Sequence, residues 1–107
     1  MQLVKHVYEV TGHFPAEEKY GLVSQMRRAS VSIPSNLAEG AARDGAREFA
    51  HFLSIAKGSL SELDTQYQLA QRLGFIKENH ADLAALIERA SKLVAGLHKK
   101  AKEAAST

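Results

Sequence analysis

The chain has 107 residues, of which 45% are hydrophobic and 24% charged, with a formal net charge of +2. That length accommodates one domain with a modest core, spanning residues 1–107, for which extra burial by self-association is a reasonable expectation. With no cysteine, disulfides, thiolate metal sites and cysteine nucleophiles are excluded, and with no leader-like or membrane-length apolar run a cytoplasmic address without a membrane partner is expected.

Apolar spacing at three and four residues predicts four helices and no strands. The first covers Gln2 to Thr11, with Leu3, Val4, Val7 and Tyr8 as its stripe and Gly12 as its stop. The second begins near Pro15, a favourable early helical residue, with Glu17 and Glu18 in the first turn. Its stripe is Leu22, Met26, Ala29, Ile33 and Leu37, and Gly40 ends it. Pro34 inside it lacks an N–H, so a kink near Ser30 to Ile33 is expected instead of a break. The third runs from an Asp44 N-cap to Leu73, closed by Gly74. Its core arc is Phe49, Leu53, Ala56, Leu60, Leu63, Tyr67 and Ala70. The fourth takes Asn79 as N-cap and buries Leu83, Leu86, Ile87, Ala90, Val94 and Leu97. The fold class is therefore all-α, an antiparallel up-down four-helix bundle with a short first helix.

Two outward faces depart from an ordinary solvated surface. On the third helix, Ile55, Gly58, Glu62, Thr65 and Leu69 form a partly apolar line opposite the core arc. A glycine there lets another backbone approach, which favours a subunit interface and a cyclic homo-oligomer. On the second, Arg28, Ser32, Ser35 and Glu39 share a polar strip, and Asn36 falls close to the core arc. A polar network of Arg28, Asn36, Glu39 and Glu48 is expected to satisfy these groups.

Catalytic and metal chemistry find little support. Glu48 and His51 have the Glu-x-x-His spacing of di-iron bundles, but no second copy occurs, and His51 lies about 160° from the core centre on a helical wheel. No metal or other cofactor is therefore expected. The serines sit on helices without a strained turn to activate them, the five histidines are scattered, and Gly40 and Gly45 match no phosphate-binding loop. An enzyme is not expected.

Nucleic-acid binding is the function class that survives. Arg27, Arg28, Arg43 and Arg47 are expected to gather around the connection between the second and third helices, with Lys57 and Arg72 farther along. Glu39, Asp44 and Glu48 offset that charge, so a symmetric ring is the route by which a small patch gains affinity. Residues 1–40 and 41–76 are each formally neutral, and the excess of +2 falls in the last segment, around Arg89, Lys92, Lys99, Lys100 and Lys102. Those lysines suit a solvated helix C-terminus. The alternative function is a structural or protein-binding bundle with no nucleic-acid ligand.

The pieces QMRRASVSIPSNLAEG, REFAHFL and GSLSELDTQ, within Tyr20 to Phe75, resemble the four-helix-bundle family encoded by intervening sequences of bacterial 23S ribosomal RNA genes. That resemblance implies a four-helix protomer and a homopentameric barrel. It also implies RNA or DNA as partners, since similar proteins are accessory subunits of diversity-generating retroelements, beside a reverse transcriptase. Arg27, Arg28, Arg43 and Arg47 match arginine-bearing positions of the family pattern. Relatives usually carry a longer segment ahead of MQLVKHVYEV, which is why the first helix is expected to be short.

Overall fold

The computed structural model describes residues 1–76 and 81–107, so the expected Asn79 cap lies outside the described residues. Four α-helices follow in order: α1 Gln2–Thr11, α2 Leu22–Ala42, α3 Ala46–Arg72 and α4 Ala81–Ala105. No described residue is in a strand. The rod they form measures 49 × 23 × 19 Å, and none of its helices is long and apolar enough to cross a membrane.

The short helix α1 buries Leu3, Val7, Val10 and Thr11, a spacing of four, three and one residues that makes one stripe. This stripe is rotated from the expected one: Tyr8 is 43% exposed, and Val10 and Thr11 take the inward positions. A continuous helix from Pro15 does not form. Ala16–Glu18 make a single 3-10 turn, and α2 starts only after Gly21, so the two acids belong to a separate turn. From there α2 passes through Pro34 without interruption and ends at Ala42 instead of Gly40. Met26, Ala29, Ile33 and, beside them, Val23 and Ser30 are buried, while Leu22 and Leu37 are half-buried.

Helix α3 opens on Gly45, not on an Asp44 side-chain cap. Gly45 has φ +98°, a backbone that a Cβ disfavours, and the start of the helix makes no side-chain cap hydrogen bond. At its other end Gly74 has φ +79°, and the Phe75 N–H donates to the Ala70 carbonyl at 2.9 Å. A left-handed glycine with that long backward bond is how many helices satisfy their last carbonyls. The expected core arc of α3 is buried apart from Phe49, which is half-buried. In α4 the inward residues are Leu83, Ile87, Val94 and Ala101, with Leu86, Ala90 and Leu97 packed against them.

Side-chain contacts give the local direction of packing. Ser59 of α3 donates to Ser32 of α2 at 2.8 Å, and farther along α2 Gly40 lies against Phe52 and Phe49. As numbers rise on α2 they fall on α3, so this pair is antiparallel. Phe14 and Phe75, with ring centroids 5.5 Å apart, close the end of the rod where α1 and α3 finish. At the opposite end Gly40 decides how close α2 and α3 approach. A Cβ placed there would sit 2.8 Å from Phe52 Cβ and 2.9 Å from Phe49 Cδ1, distances that only a shift of the helices could relieve.

Candidate nucleic-acid interface

The four arginines expected to gather around the α2–α3 connection are divided between the two ends of α2. Arg27 and Arg28 lie near the start of α2 and Arg43 just past its end. At 1.5 Å per residue they are separated by about 22 Å along the axis. Arg72, in the last turn of α3, is far from Arg47 in the first, because that helix has 27 residues and is about 40 Å long. The single arginine cluster is therefore corrected to separate groups, the physical reason being the length of two antiparallel helices joined by a short turn.

Arg27 is half-buried and already engaged. Its Nε donates to Thr11 Oγ1 at 2.9 Å, its Nη2 donates to the Tyr8 carbonyl at 3.3 Å, and its guanidinium lies 4.5 Å from the Tyr8 ring centroid. The Tyr8 carbonyl also accepts the Gly12 N–H at 3.1 Å, so Arg27 takes up its second lone pair. Arg27 thus clasps α1 to α2. Arg27→Met is expected to cost about 1–2 kcal/mol through the lost charged hydrogen bonds and cation–π contact. Arg27→Lys should recover little, since an ammonium cannot reproduce the fork. Urea denaturation checks both, and an unchanged midpoint for the methionine variant refutes the clasp.

The expected polar network also rearranges. Asn36 Nδ2 donates to the Ser32 carbonyl at 2.8 Å and to Ser32 Oγ at 2.9 Å, and Ser59 completes the link across to α3. Glu39 instead pairs with Arg43, four residues on, where both side chains are about half exposed. Such a pair contributes little to stability. Arg28 and Glu48 are exposed and belong to neither arrangement. Ser59 was not singled out from sequence, since a serine on a helix carries no signal of its partner.

The cationic surface that does form runs from the α2–α3 turn along α3 to the last turns of α4. Arg43 lies over the Phe52 ring at 5.4 Å, and Arg47 and Lys57 are exposed. His98 of α4 has its pKa lowered by burial and then by the Lys57 and Lys102 charges, which places Lys57 and Lys102 in one neighbourhood. Lys102 of α4, read from sequence only as part of a capped end, therefore lies beside Lys57 of α3. Acids interrupt the cationic surface at Asp44, Glu48 and Glu103, all exposed.

On the outer side of α3, Ile55 is 39% and Leu69 48% exposed. Gly58 has open space where a Cβ would stand. Glu62 Oε1 accepts from Gln66 Nε2 at 3.2 Å, and Gln66 is buried with its own Oε1 unpaired. Glu48 and His51 are both exposed, and His51 meets the Phe52 ring edge-on at 5.2 Å. No group of three metal-ligating side chains occurs among the described residues.

Fold and surface together define a small all-helical bundle protein with exposed cations toward both ends and apolar side chains exposed on the outside of its longest helix. The model of the 23S rRNA-intervening sequence protein family matches residues 1–96, and the chain belongs to that family. No curated protein matches it.

Proposed function

We propose that this protein is a non-enzymatic, cyclic homo-oligomer of up-down four-helix protomers, a pentamer by family resemblance, that binds structured RNA. Arg43, Arg47, Lys57 and Lys102 carry the phosphate contacts. What supports this reading is that Lys57 of α3 and Lys102 of α4 both act on His98, and that Arg43 and Arg47 at the α2–α3 turn are exposed. The family's association with ribosomal RNA genes supports RNA as the ligand. Because Asp44, Glu48 and Glu103 dilute each protomer's patch, affinity depends on repeating it around a ring.

A gel-shift titration of a structured RNA over a range of salt tests the proposal. Binding is expected at low salt and should fall steeply as salt rises, because each neutralised phosphate releases condensed counterions. Absence of any shift at low salt overturns it and favours the protein-binding alternative, which draws on the exposed apolar side chains. Self-association is tested by light scattering. Ile55→Glu with Leu69→Glu is expected to convert the assembly to smaller species, as burying two carboxylates without partners is costly. A wild-type protein that is already monomeric refutes the ring.

A further inference from the structure

We propose that the groove between α1 and the beginning of α2 holds a segment of single-stranded nucleic acid, with an unstacked base on the Tyr20 ring and the flanking phosphates on Lys19 and Arg28. The groove has a volume of about 500 Å³ and is lined by Tyr8, Lys19, Tyr20, Val23, Ser24, Arg27, Arg28 and Val31. Its size falls in the roughly 300–1,000 Å³ range of small-ligand sites. Three of those lining residues are cations and none is a carboxylate. Glu17 and Glu18 lie in the preceding 3-10 turn, outside the lining.

Tyr20 is the decisive residue. It is 88% exposed, so its ring contributes almost nothing to the core, although burying an aromatic is among the larger gains available to a small fold. Lys19 Nζ stands 5.6 Å from the Tyr20 centroid, so charge and ring face are presented together. The second tyrosine, Tyr8, has one face covered by the Arg27 guanidinium at 4.5 Å, which orders that wall of the groove. Arg28 is exposed and takes part in none of the bundle's internal bonds described above.

Aromatic faces beside cations bind bases that have left a stack, since stacking and phosphate neutralisation then act on adjacent parts of one nucleotide. A duplex keeps its base faces covered and offers Tyr20 only backbone. The groove is therefore a single-strand site. It is also separate from the basic surface of the proposed function: Tyr20 precedes α2 and Arg43 follows it, with 21 helical residues between, or about 30 Å. The inference consequently does not depend on the basic surface binding RNA.

Fluorescence anisotropy with a labelled oligouridylate and a labelled RNA duplex of equal length tests it, using the full chain at low salt. Tyr20→Ala is expected to weaken single-strand binding about tenfold, within the range measured for loss of one stacking partner, and to leave duplex binding unchanged. Tyr20→Phe should bind as wild type. Lys19→Glu and Arg28→Glu should each weaken the single strand and lower its salt slope by about one. Because Tyr20 is exposed, an unaltered thermal melt identifies these as binding effects. Wild-type affinity in Tyr20→Ala, or no single-strand binding by the wild type, overturns the inference. Binding of the single strand without the duplex sinks only the basic-surface reading, and binding of the duplex alone sinks only the groove.

Discussion

Gly40→Val is expected to lower the stability of the bundle by about 2–3 kcal/mol, the upper part of the range for overpacked cores. For a domain near this size that corresponds to a fall in Tm of roughly 10–20 °C. Any side chain at position 40 begins with a Cβ that meets Phe52 Cβ at 2.8 Å and Phe49 Cδ1 at 2.9 Å. The Phe52 atom is fixed to its backbone and cannot rotate away, so α2 and α3 must separate, loosening Ile33 and Leu53 beneath them. Helix propensity acts in the opposite direction, since replacing a mid-helix glycine by alanine ordinarily gains about 1 kcal/mol, and steric cost is the larger of the two. Gly96 supplies the contrast. It lies in α4 with nothing within 4 Å of where a Cβ would be, so Gly96→Ala should stabilise by about 0.5–1 kcal/mol. Thermal melts of both variants decide the point, and a Gly40→Val protein as stable as wild type removes the close approach as a determinant of this fold.

The double substitution Arg43→Glu with Arg47→Glu is expected to weaken RNA binding by about two orders of magnitude. Each arginine lost from a phosphate removes a charged hydrogen bond of at least about 1.5 kcal/mol, and each glutamate adds repulsion. The slope of log affinity against log salt should fall by about two. Arg43 is the less available of the pair, since Glu39 holds its guanidinium and Phe52 lies beneath it. Its release from Glu39 is part of the cost of binding, so Arg47→Glu alone should have the larger single effect. Both residues are exposed, and the ion pair contributes little to folding, so the variant should melt as wild type does. RNA affinity and salt slope unchanged in the double variant would falsify a role for the α2–α3 turn.

Much of the core was legible because helical periodicity encodes burial directly. On α3 a repeat of three and four identified Leu53, Ala56, Leu60, Leu63, Tyr67 and Ala70, all of which are buried. Capping was less legible. Asp44 has the chemistry of an N-cap, yet Gly45 occupies the cap position with φ +98° and ψ 156°, a conformation that a Cβ disfavours. Tyr8 fitted the stripe of α1 by spacing alone. In the fold Arg27 takes its ring as a platform, and the helix turns to bury Val10 and Thr11 instead.

The candidate sites were less legible than the core, since they depend on distances between elements. Arg27, Arg28, Arg43 and Arg47 are close in sequence terms, but α2 places the two pairs at opposite ends. Lys57 and Lys102 are far apart in sequence and come together beside His98. The signal for the groove was present in Lys19-Tyr20-Gly21, an aromatic outside any helical stripe beside a cation. Its meaning depends on α1 forming the other wall.

By itself, the sequence determined that this protein is all-helical, where its helices lie apart from the start of the second, and most of the residues that face inward, because apolar spacing and helix breakers act locally along the chain. Only the tertiary structure decided which polar groups meet. Ser32 found Ser59 and Arg27 found the end of α1 because helix length, direction and the packing of one helix on another set those distances, and none of these is carried by local periodicity.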